Sequence, residues 1–365
     1  MTHVPARNFC GSSTLAPAAD RADGDSSRLN GIDLSTLRDV NTDPQYMLSD
    51  GIHDCLIIGA GPAGLTAATY LSRYRRHIAV IDAGHSRARW IPSSHNCPGF
   101  PFGVAGPALL HKLREQAEGY GAVITPGRVV ELQRDEADGF VARDAAGHPW
   151  RARLVLLASG IVDRMPQFEG GEQAREAAIA AGVLRVCAVC DGYEATDDRL
   201  AVLAPADEAI RHALFLRTYS RRVDAICSVP GEPSPECAAL ARAAGVTLRP
   251  PPLRLRHAAK ECIVDFVDGT RRYDSLYPVL GGVAQSQLAA ALGARLDDNR
   301  ELVVDPDQQT SVDGLYAIGD LVSALNQISV AVGHAAIAAT AIHHCLPRNF
   351  REDDQRPPPS PERLP

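Results

Sequence analysis

Residues 54–64 read DCLIIGAGPAG, and this stretch decides the class of fold. Its first five residues form a short apolar run, which is typical of a buried parallel strand. The run leads into a GxGxxG pattern, after which residues 65–75 have helical character. Residues 77–82 (HIAVID) form a second apolar run that ends in an acid. This order of strand, glycine turn, helix, strand and acid predicts a dinucleotide-binding unit, whereas an isolated GxGxxG predicts little.

Each glycine of the turn has its own physical purpose in such a unit. Gly59 allows the tight turn after the strand, and Gly61 lets the backbone approach a pyrophosphate. Gly64 lets the helix pack close to the strand, and the helix N-terminus faces the phosphate charge. Asp82 would accept hydrogen bonds from ribose hydroxyls. A glycine-rich turn in another kind of α/β protein is the alternative.

A second motif, CxxC followed by an acid, lies in residues 186–194 (VCAVCDGYE). Cys187 and Cys190 can close a disulfide or open to a dithiol, and one thiol of such a pair can attack as the thiolate. Asp191 directly follows and could pass a proton during exchange. The pattern therefore indicates a redox-active pair with a neighbouring acid.

The alternatives for this motif are half of a zinc site or two unrelated core cysteines. A four-ligand zinc site needs a second ligand pair at suitable spacing. The remaining cysteines are scattered and none forms a second CxxC: Cys10, Cys55, Cys97, Cys227, Cys237, Cys262 and Cys345. The sequence therefore favours redox chemistry and predicts no metal.

Three later segments extend the dinucleotide unit. Residues 155–160 (VLLASG) form a strand that meets a small-residue turn. Residues 314–320 (GLYAIGD) form a strand ending in glycine and Asp320, an acid placed to reach a ribityl or phosphate group. Residues 326–340 read as a helix whose small residues could lie against a large flat ligand. These segments lie on both sides of the CxxC, so we expect a discontinuous cofactor domain with the CxxC region inserted.

Length and composition narrow the classes of function. The 365 residues suggest about two domains, and 45% hydrophobic with 22% charged residues is an ordinary globular composition. The net charge of −7 argues against nucleic acid and anionic membranes as partners. We see no secretory signal and no apolar run of the about 18 residues that span a bilayer. Nine irregularly spaced cysteines fit a reducing cytosol, so a cytoplasmic location is expected.

Both ends of the chain differ from its middle. Residues 1–50 are rich in Ser, Asp, Ala, Asn and Gly, and they are expected to form a disordered extension. Residues 347–365 form a Pro-rich tail that is not expected to pack.

From about residue 52 to 346 the sequence resembles the low-molecular-weight thioredoxin reductase family of flavoprotein disulfide reductases. The matching motifs come in the family's order and spacing: the FAD fingerprint 59–64 (GAGPAG), the turn 158–160 (ASG), the redox segment 187–192 (CAVCDG), the second FAD motif at Gly319 and Asp320, and Gln327 near the flavin ring. The resemblance implies an α/β fold with two Rossmann-like domains. The FAD domain (51–163 and 281–346) would be discontinuous, with a CxxC-bearing central domain (164–280) inserted.

The resemblance also implies a cofactor, partners and residue roles. Electrons would pass between FAD and the CxxC disulfide to a thioredoxin-like protein or a small-molecule disulfide or dithiol, in a homodimer. Cys190 would lie nearest the flavin, Cys187 would attack the partner, and Asp191 would be the acid. The implied FAD contacts are Gly59, Gly61, Pro62, Ala63, Gly64, Asp82, Ala158, Gly160, Gly319, Asp320 and Gln327.

The sequence departs from the family where the central domain would bind NADPH. Residues 204–209 (APADEA) stand where NADPH-dependent members begin with three glycines. Ala204 puts a Cβ in an expected tight turn, Pro205 has no N–H for a phosphate, and Asp207 adds negative charge. No basic residue follows the next predicted strand, 222–226, where the family reads the 2′-phosphate. NADPH is therefore expected to be at best a weak reductant.

This departure leaves three kinds of function open. The sequence also resembles a side branch of the family that keeps the CxxC and has a degenerate NADPH motif, and some members of this branch take electrons from ferredoxin or another donor. Other members of that branch are flavin-dependent dithiol oxidases that pass electrons to oxygen. A non-catalytic redox sensor is the third. The loop 90–101 is expected to border the flavin, and its His95 and Cys97 are weaker candidates for a chemical role.

Overall fold

The computed structural model describes residues 51–135, 139–322 and 325–351. The predicted extension 1–50 and residues 352–365 of the predicted tail lie outside the described residues.

Strands and helices alternate along the described chain, as an α/β fold requires. The strands are β1 (Ile52–Ile58), β2 (Ile78–Asp82), β3 (Ile124–Pro126), β4 (Val129–Asp135), β5 (Gly139–Asp144), β6 (Pro149–Leu157), β7 (Ile161–Asp163), β8 (Arg199–Ala204), β9 (Arg222–Cys227), β10 (Thr247–Arg249), β11 (Arg254–Ala258), β12 (Glu261–Phe266), β13 (Gly269–Tyr273), β14 (Ser275–Pro278), β15 (Gly282–Ala284) and β16 (Leu315–Ala317). The helices are α1 (Pro62–Arg73), α2 (Gly106–Gly119), α3 (Gly171–Ala180), α4 (Ala188–Asp191), α5 (Ala206–Leu216), α6 (Pro235–Ala244), α7 (Gln287–Ala291) and α8 (Ile328–Cys345).

The first lobe is built on a sheet in the order β3-β2-β1-β6-β5-β4, with β16 also paired to β6. β1 pairs in parallel with both β2 and β6, and β16 continues the parallel part along the second half of β6. β5 pairs antiparallel with the first half of β6. The strand order therefore reverses at β1, and the crevice for a ligand lies beyond the carboxyl ends of β1 and β6.

The second lobe has a parallel sheet in the order β10-β9-β8-β14 and an antiparallel sheet β11-β12-β13. The chain passes into this lobe through β7 and returns through β15, and these two strands pair antiparallel side by side. Two Rossmann-like units, one of them interrupted by the other, confirm the predicted fold class.

The central strand and helix of the first lobe form around buried apolar residues. The last four residues of β1 are buried, as expected for an apolar strand with a parallel neighbour on each side. α1 packs against α8, and the interface consists largely of alanines, including Ala67, Ala335 and Ala338. Small side chains let the two helices lie close together.

The expectation that no apolar segment is long enough to span a bilayer is wrong for α8. By length and composition, this 18-residue helix with a mean hydropathy of 1.3 could cross a membrane. Its buried face packs on α1 in the core of the first lobe, at Ala331, Ala335, Ala339 and Ile342. Core helices of globular lobes share the composition of membrane spans, because both exclude charge.

The expectation that the tail does not pack is wrong for its first residues. Arg76 is buried and donates hydrogen bonds to the carbonyl oxygens of His343 at 2.9 Å and Pro347 at 2.8 Å. The side chain of Asn349 donates to the carbonyl oxygen of Tyr74 at 2.9 Å. A buried guanidinium needs acceptors, and the end of a helix supplies carbonyl oxygens without partners.

Candidate functional site

A cavity of about 1440 Å³ brings nearly all the predicted site residues together. Those that line it are Gly59, Gly61, Pro62, Ala63, Asp82, Ala158, Gly160, Cys187, Cys190, Asp191, Gly319, Asp320 and Gln327. Gly64 is the exception among the predicted residues. The cavity begins at the carboxyl ends of β1 and β6 and reaches the cysteines of the second lobe, so one space joins the dinucleotide turn to the CxxC.

The glycines of the turn serve two different needs. Gly59 has a φ of +106°, and a Cβ there would lie 2.4 Å from the carbonyl oxygen of Ala158. A Cβ on Gly64 would lie 1.9 Å from the carbonyl oxygen of Gly59, so this residue serves packing, as predicted. A Cβ on Gly61 would meet only the Ser86 hydroxyl, at 3.3 Å. The fold therefore requires Gly59 and Gly64, whereas Gly61 keeps the cavity open.

α1 begins at Pro62, three residues earlier than the sequence predicts. Gly61 is its N-cap and Pro62 its first residue, where the missing proline N–H costs nothing. The N-terminus of this 12-residue helix borders the cavity and favours negative charge there.

Asp82 lies at the end of β2, where the sequence predicts it. One carboxylate oxygen accepts a hydrogen bond from the Ala60 N–H at 3.2 Å, and the other lies 3.4 Å from the guanidinium of Arg114 on α2. The sequence did not single out Arg114, because nothing in α2 sets it apart from the other polar residues of that helix. The carboxylate is thereby held in place at the cavity wall.

Asp320 follows β16 and is the second predicted acid of the cavity. Arg87 forms an ion pair with Asp163 at 2.6 Å and approaches Asp320 to 3.7 Å. Burial raises the pKa of the Asp320 carboxyl, and the charge of Arg87 opposes this shift. Sequence reasoning missed Arg87 and Asp163, which lie far apart in the chain and carry no motif.

Cys187 and Cys190 are joined by a disulfide at the start of α4. Cys187 is the N-cap of this short helix, and its sulfur accepts a hydrogen bond from the Cys190 N–H at 3.2 Å. Both sulfurs face Gln327, whose side-chain nitrogen lies 3.3 Å from Cys190 Sγ and 3.4 Å from Cys187 Sγ. The disulfide of the second lobe thus contacts the N-cap residue of α8 in the first lobe.

Asp191 is partly buried beside the disulfide and has two partners. Tyr277 donates a hydrogen bond to one carboxylate oxygen at 3.1 Å, and Arg185 lies 3.5 Å from the other. Burial raises the pKa of Asp191 to about 6, and the charge of Arg185 and the Tyr277 hydrogen bond oppose it only partly. A carboxyl with this pKa can exchange a proton near neutral pH. Neither Tyr277 nor Arg185 was predicted, because each is adjacent to Asp191 only in the folded chain.

Residues 204–209 of the second lobe, where the sequence departs from the family, do not form the turn that the sequence predicts. Ala204 is the buried last residue of β8, and Pro205 alone connects it to α5, which begins at Ala206. Asp207 accepts a hydrogen bond from the Ser234 N–H at 2.8 Å, which lowers the pKa of its carboxyl. Asp207, the acid that was expected to lie beside a pyrophosphate, therefore binds the loop after β9 through this hydrogen bond.

The two weaker candidates of the 90–101 loop separate in the structure. His95 lines the cavity, and its ring lies 3.9 Å from the Glu194 carboxylate. Cys97 is buried against Val104 and Leu109, as a structural cysteine would be. Among the described residues, no three His, Cys, Asp or Glu side chains cluster as metal ligands would.

Comparison with known proteins places the chain among disulfide oxidoreductases. Residues 53–335 match a family described as pyridine nucleotide-disulphide oxidoreductase. The thioredoxin reductase of Aquifex aeolicus (strain VF5) is 28% identical over 320 residues, covering 80% of this chain and 92% of that protein. Among solved structures, HlmI shares 29% sequence identity with this chain and superposes with a TM-score of 0.74, and the match covers 81% of this chain and 92% of HlmI. The thioredoxin reductase of Streptococcus pyogenes MGAS5005 is 25% identical with a TM-score of 0.73, over 81% and 98% of the two chains.

Proposed function

Because this chain belongs to the pyridine nucleotide-disulphide oxidoreductase family, we propose that it passes electrons between a bound FAD and the Cys187–Cys190 disulfide, and onward to a thiol partner. The family and the thioredoxin reductase relatives indicate that the chain is a disulfide oxidoreductase, and membership of the family implies a flavin cofactor. The observation that carries the proposal is the single cavity lined by the dinucleotide turn and by both cysteines.

The residues of the cavity fit an FAD. The open backbone at Gly61 and the N-terminus of α1 suit its pyrophosphate, and Asp82 suits its ribose. The carbonyl oxygen of the Asn326 side chain is buried without a hydrogen-bond partner among the described residues, as expected where a ligand supplies one. Bound there, the flavin would supply the electron pair that opens the disulfide or receive the pair released when it closes.

The chain's own residues would handle the proton and the partner. Asp191 is placed to exchange a proton with the thiol pair, at a pKa suited to that task. Val189 within the motif and Tyr193 just after it are exposed, which suits contact with a thioredoxin-like protein or a small disulfide. Homodimer formation, a ferredoxin-type donor and a cytoplasmic location stay predictions.

Replacing Asp191 by Asn should make disulfide exchange slower by about 10²-fold, because the amide cannot donate and recover a proton. With a pKa of about 6, the wild-type carboxyl is protonated below pH 6 and ionised above it. A rate that needs the acid form should therefore fall as pH rises through about 6. Single-turnover kinetics between pH 5 and 8 measure both effects. A wild-type rate that is flat across this range, or an Asp191→Asn variant with the wild-type profile, would contradict this role.

NADPH should fail to bleach the flavin of the anaerobic protein at concentrations where dithionite or a dithiol bleaches it fully. The reason is the second lobe, where Pro205 offers no N–H and Asp207 is engaged by the loop after β9. An absorbance titration with each reductant measures this. A thioredoxin reductase that uses NADPH, titrated alongside, is the control.

The outcomes of this titration separate the candidate directions of electron flow. Bleaching at low NADPH would mean that other residues rebuild the site, and the chain would be an NADPH-dependent reductase. No response to NADPH with reduction by ferredoxin would support a reductase with another donor. The dithiol oxidase shares the same site, and rapid oxygen consumption with a small dithiol would favour it.

A further inference from the structure

We infer that Asn96, itself oriented by Ser94, is a positioning residue that turns the amino group of Gln327 toward the redox sulfurs and so stabilises the thiolate formed on reduction. We call Ser94, Asn96 and Gln327 the amide relay. The inference rests on the proposed function, since it takes Cys187 and Cys190 to be the redox couple. It assigns a role to a loop residue that no motif singles out.

The amide relay is a continuous line of hydrogen bonds that ends at the disulfide. The Ser94 hydroxyl donates to Asn96 Oδ1 at 3.0 Å, and Asn96 Nδ2 donates to Gln327 Oε1 at 2.9 Å. Gln327 Nε2 then donates to Cys190 Sγ at 3.3 Å and to Cys187 Sγ at 3.4 Å. Each donor binds the oxygen end of the next side-chain amide, and the amino end of that amide therefore points onward along the line.

The beginning of the relay is fixed by the backbone. Ser94 is 3% exposed and exchanges two main-chain hydrogen bonds with Val104, at 2.7 Å and 2.9 Å. The Ser94 hydroxyl donates to the side-chain oxygen of Asn96. The side-chain amino group of Asn96 therefore faces Gln327. A primary amide alone can point either end at a neighbour. Here the oxygen of the Gln327 amide accepts from Asn96, and its amino group also donates to the Asn326 carbonyl oxygen at 3.1 Å, so both contacts turn the amino group toward the sulfurs.

The orientation matters because reduction creates charge at the sulfurs. Two electrons and one proton break the S–S bond and leave one thiol and one thiolate. Hydrogen-bond donors directed at the thiolate favour the charged form and lower the pKa of that thiol. Gln327 Oε1 lies 3.7 Å from Cys190 Sγ, farther than Nε2 at 3.3 Å, and with the amide reversed the oxygen would take the nearer position and repel the negative sulfur. The relay therefore favours the reduced, attacking form of the pair.

Other titratable groups also face the motif, and any test must hold them constant. Asp191 and Arg185 lie in the second lobe beside the cysteines, and Glu194 follows them in the chain. His95 approaches Glu194 from the same loop as Asn96. Substitutions in the relay that add no charge leave these four groups in place, so a shift in the thiol pKa can be assigned to the lost donor.

The test measures thiol reactivity in the full-length flavin-loaded protein. The disulfide is reduced anaerobically with dithiothreitol, the reductant is removed, and alkylation by iodoacetamide is followed from pH 5 to 9. Mass spectrometry reports Cys187 and Cys190 separately from the exposed Cys345. Asn96→Ala should raise the pKa of the more acidic thiol by about one unit, so alkylation below that pKa slows about tenfold. Ser94→Ala should shift it in the same direction by less.

A double-mutant cycle separates positioning from a merely structural effect. If Asn96 acts only through Gln327, then Asn96→Ala combined with Gln327→Ala should shift the thiol pKa no further than Gln327→Ala alone. Ser93→Ala is the matched control, because this neighbouring hydroxyl contacts His95 rather than the relay. The control should leave the thiol pKa unchanged. Asn96 is exposed, so the variant should fold, and Asn96→Ser provides a second variant whose shorter side chain leaves its hydroxyl out of reach of Gln327 Oε1.

The inference is overturned if Asn96→Ala and Asn96→Ser leave the pKa of both thiols unchanged. Additive shifts in the double variant would also overturn it, because Asn96 would then act independently of Gln327. Failure of the proposed function looks different: no disulfide turnover with any donor or acceptor, in the wild type as well. The alkylation series needs no turnover, so it reports on the relay in either case.

Discussion

Cys190→Ser is expected to abolish electron transfer to any disulfide substrate, with a loss in turnover of at least about 10³-fold. Thiol–disulfide exchange needs both sulfurs, and a serine oxygen cannot form the bond to Cys187. The flavin should stay bound, because the dinucleotide turn lies at the other end of the cavity. Flavin absorbance and steady-state turnover with a disulfide substrate measure the two effects.

Cys345→Ser is the matched control for this substitution. Cys345 is an exposed cysteine near the end of α8, and its sulfur lies 3.3 Å from the Tyr316 hydroxyl. A serine can keep that contact, so turnover should stay at the wild-type rate. Turnover by Cys190→Ser at an appreciable fraction of the wild-type rate would show that the disulfide is not on the path of the electrons.

Gly61→Val should weaken FAD binding by about 10²-fold or more while leaving the fold intact. The new side chain would enter the space where we propose that the pyrophosphate binds, and it would block backbone hydrogen bonds to the phosphates, each worth about 1.5–3 kcal/mol to a charged group. Within the protein, a Cβ at this position meets only the Ser86 hydroxyl. Flavin content after purification and the affinity of the apoprotein for added FAD measure the loss, and circular dichroism checks the fold.

Two other glycines are matched controls for the Gly61 substitution. Gly231→Val should bind FAD normally, since nothing lies within 4 Å of a Cβ there and its φ is not positive. Gly59→Ala should instead destabilise the first lobe itself, because of its φ of +106° and the 2.4 Å approach to Ala158. Normal FAD affinity in Gly61→Val would place the dinucleotide elsewhere.

The sequence predicted those parts of the site that depend on local backbone geometry. The GxGxxG turn, the acid at the end of β2 and the spacing of the two cysteines each have a short-range requirement that few residue types meet. A positive φ at Gly59 and the contact of Gly64 with the preceding turn are examples. Hydrophobic runs are also local features of the sequence, and they indicated the order of strands and helices. The predicted two-lobed α/β fold is confirmed.

The sequence-based predictions were wrong for segments whose structure depends on packing against neighbouring elements. Residues 204–207 were interpreted as a loop facing a ligand, yet Ala204 completes β8 and Asp207 holds the loop after β9. α8 was not expected to resemble a membrane span, and its apolar length is explained by its packing on α1. The start of the tail packs because Arg76 needs acceptors.

The sequence by itself thus determined the fold class, the GxGxxG turn and the cysteine pair that forms the disulfide, because each is encoded within short segments of the chain. Only the tertiary structure decided which side chains surround that pair. Asn96 and Gln327 are 231 residues apart, and Tyr277 and Asp191 are 86 apart. Contacts at such separations leave no local pattern, since any polar residue type can supply a donor once the fold has brought it within about 3 Å.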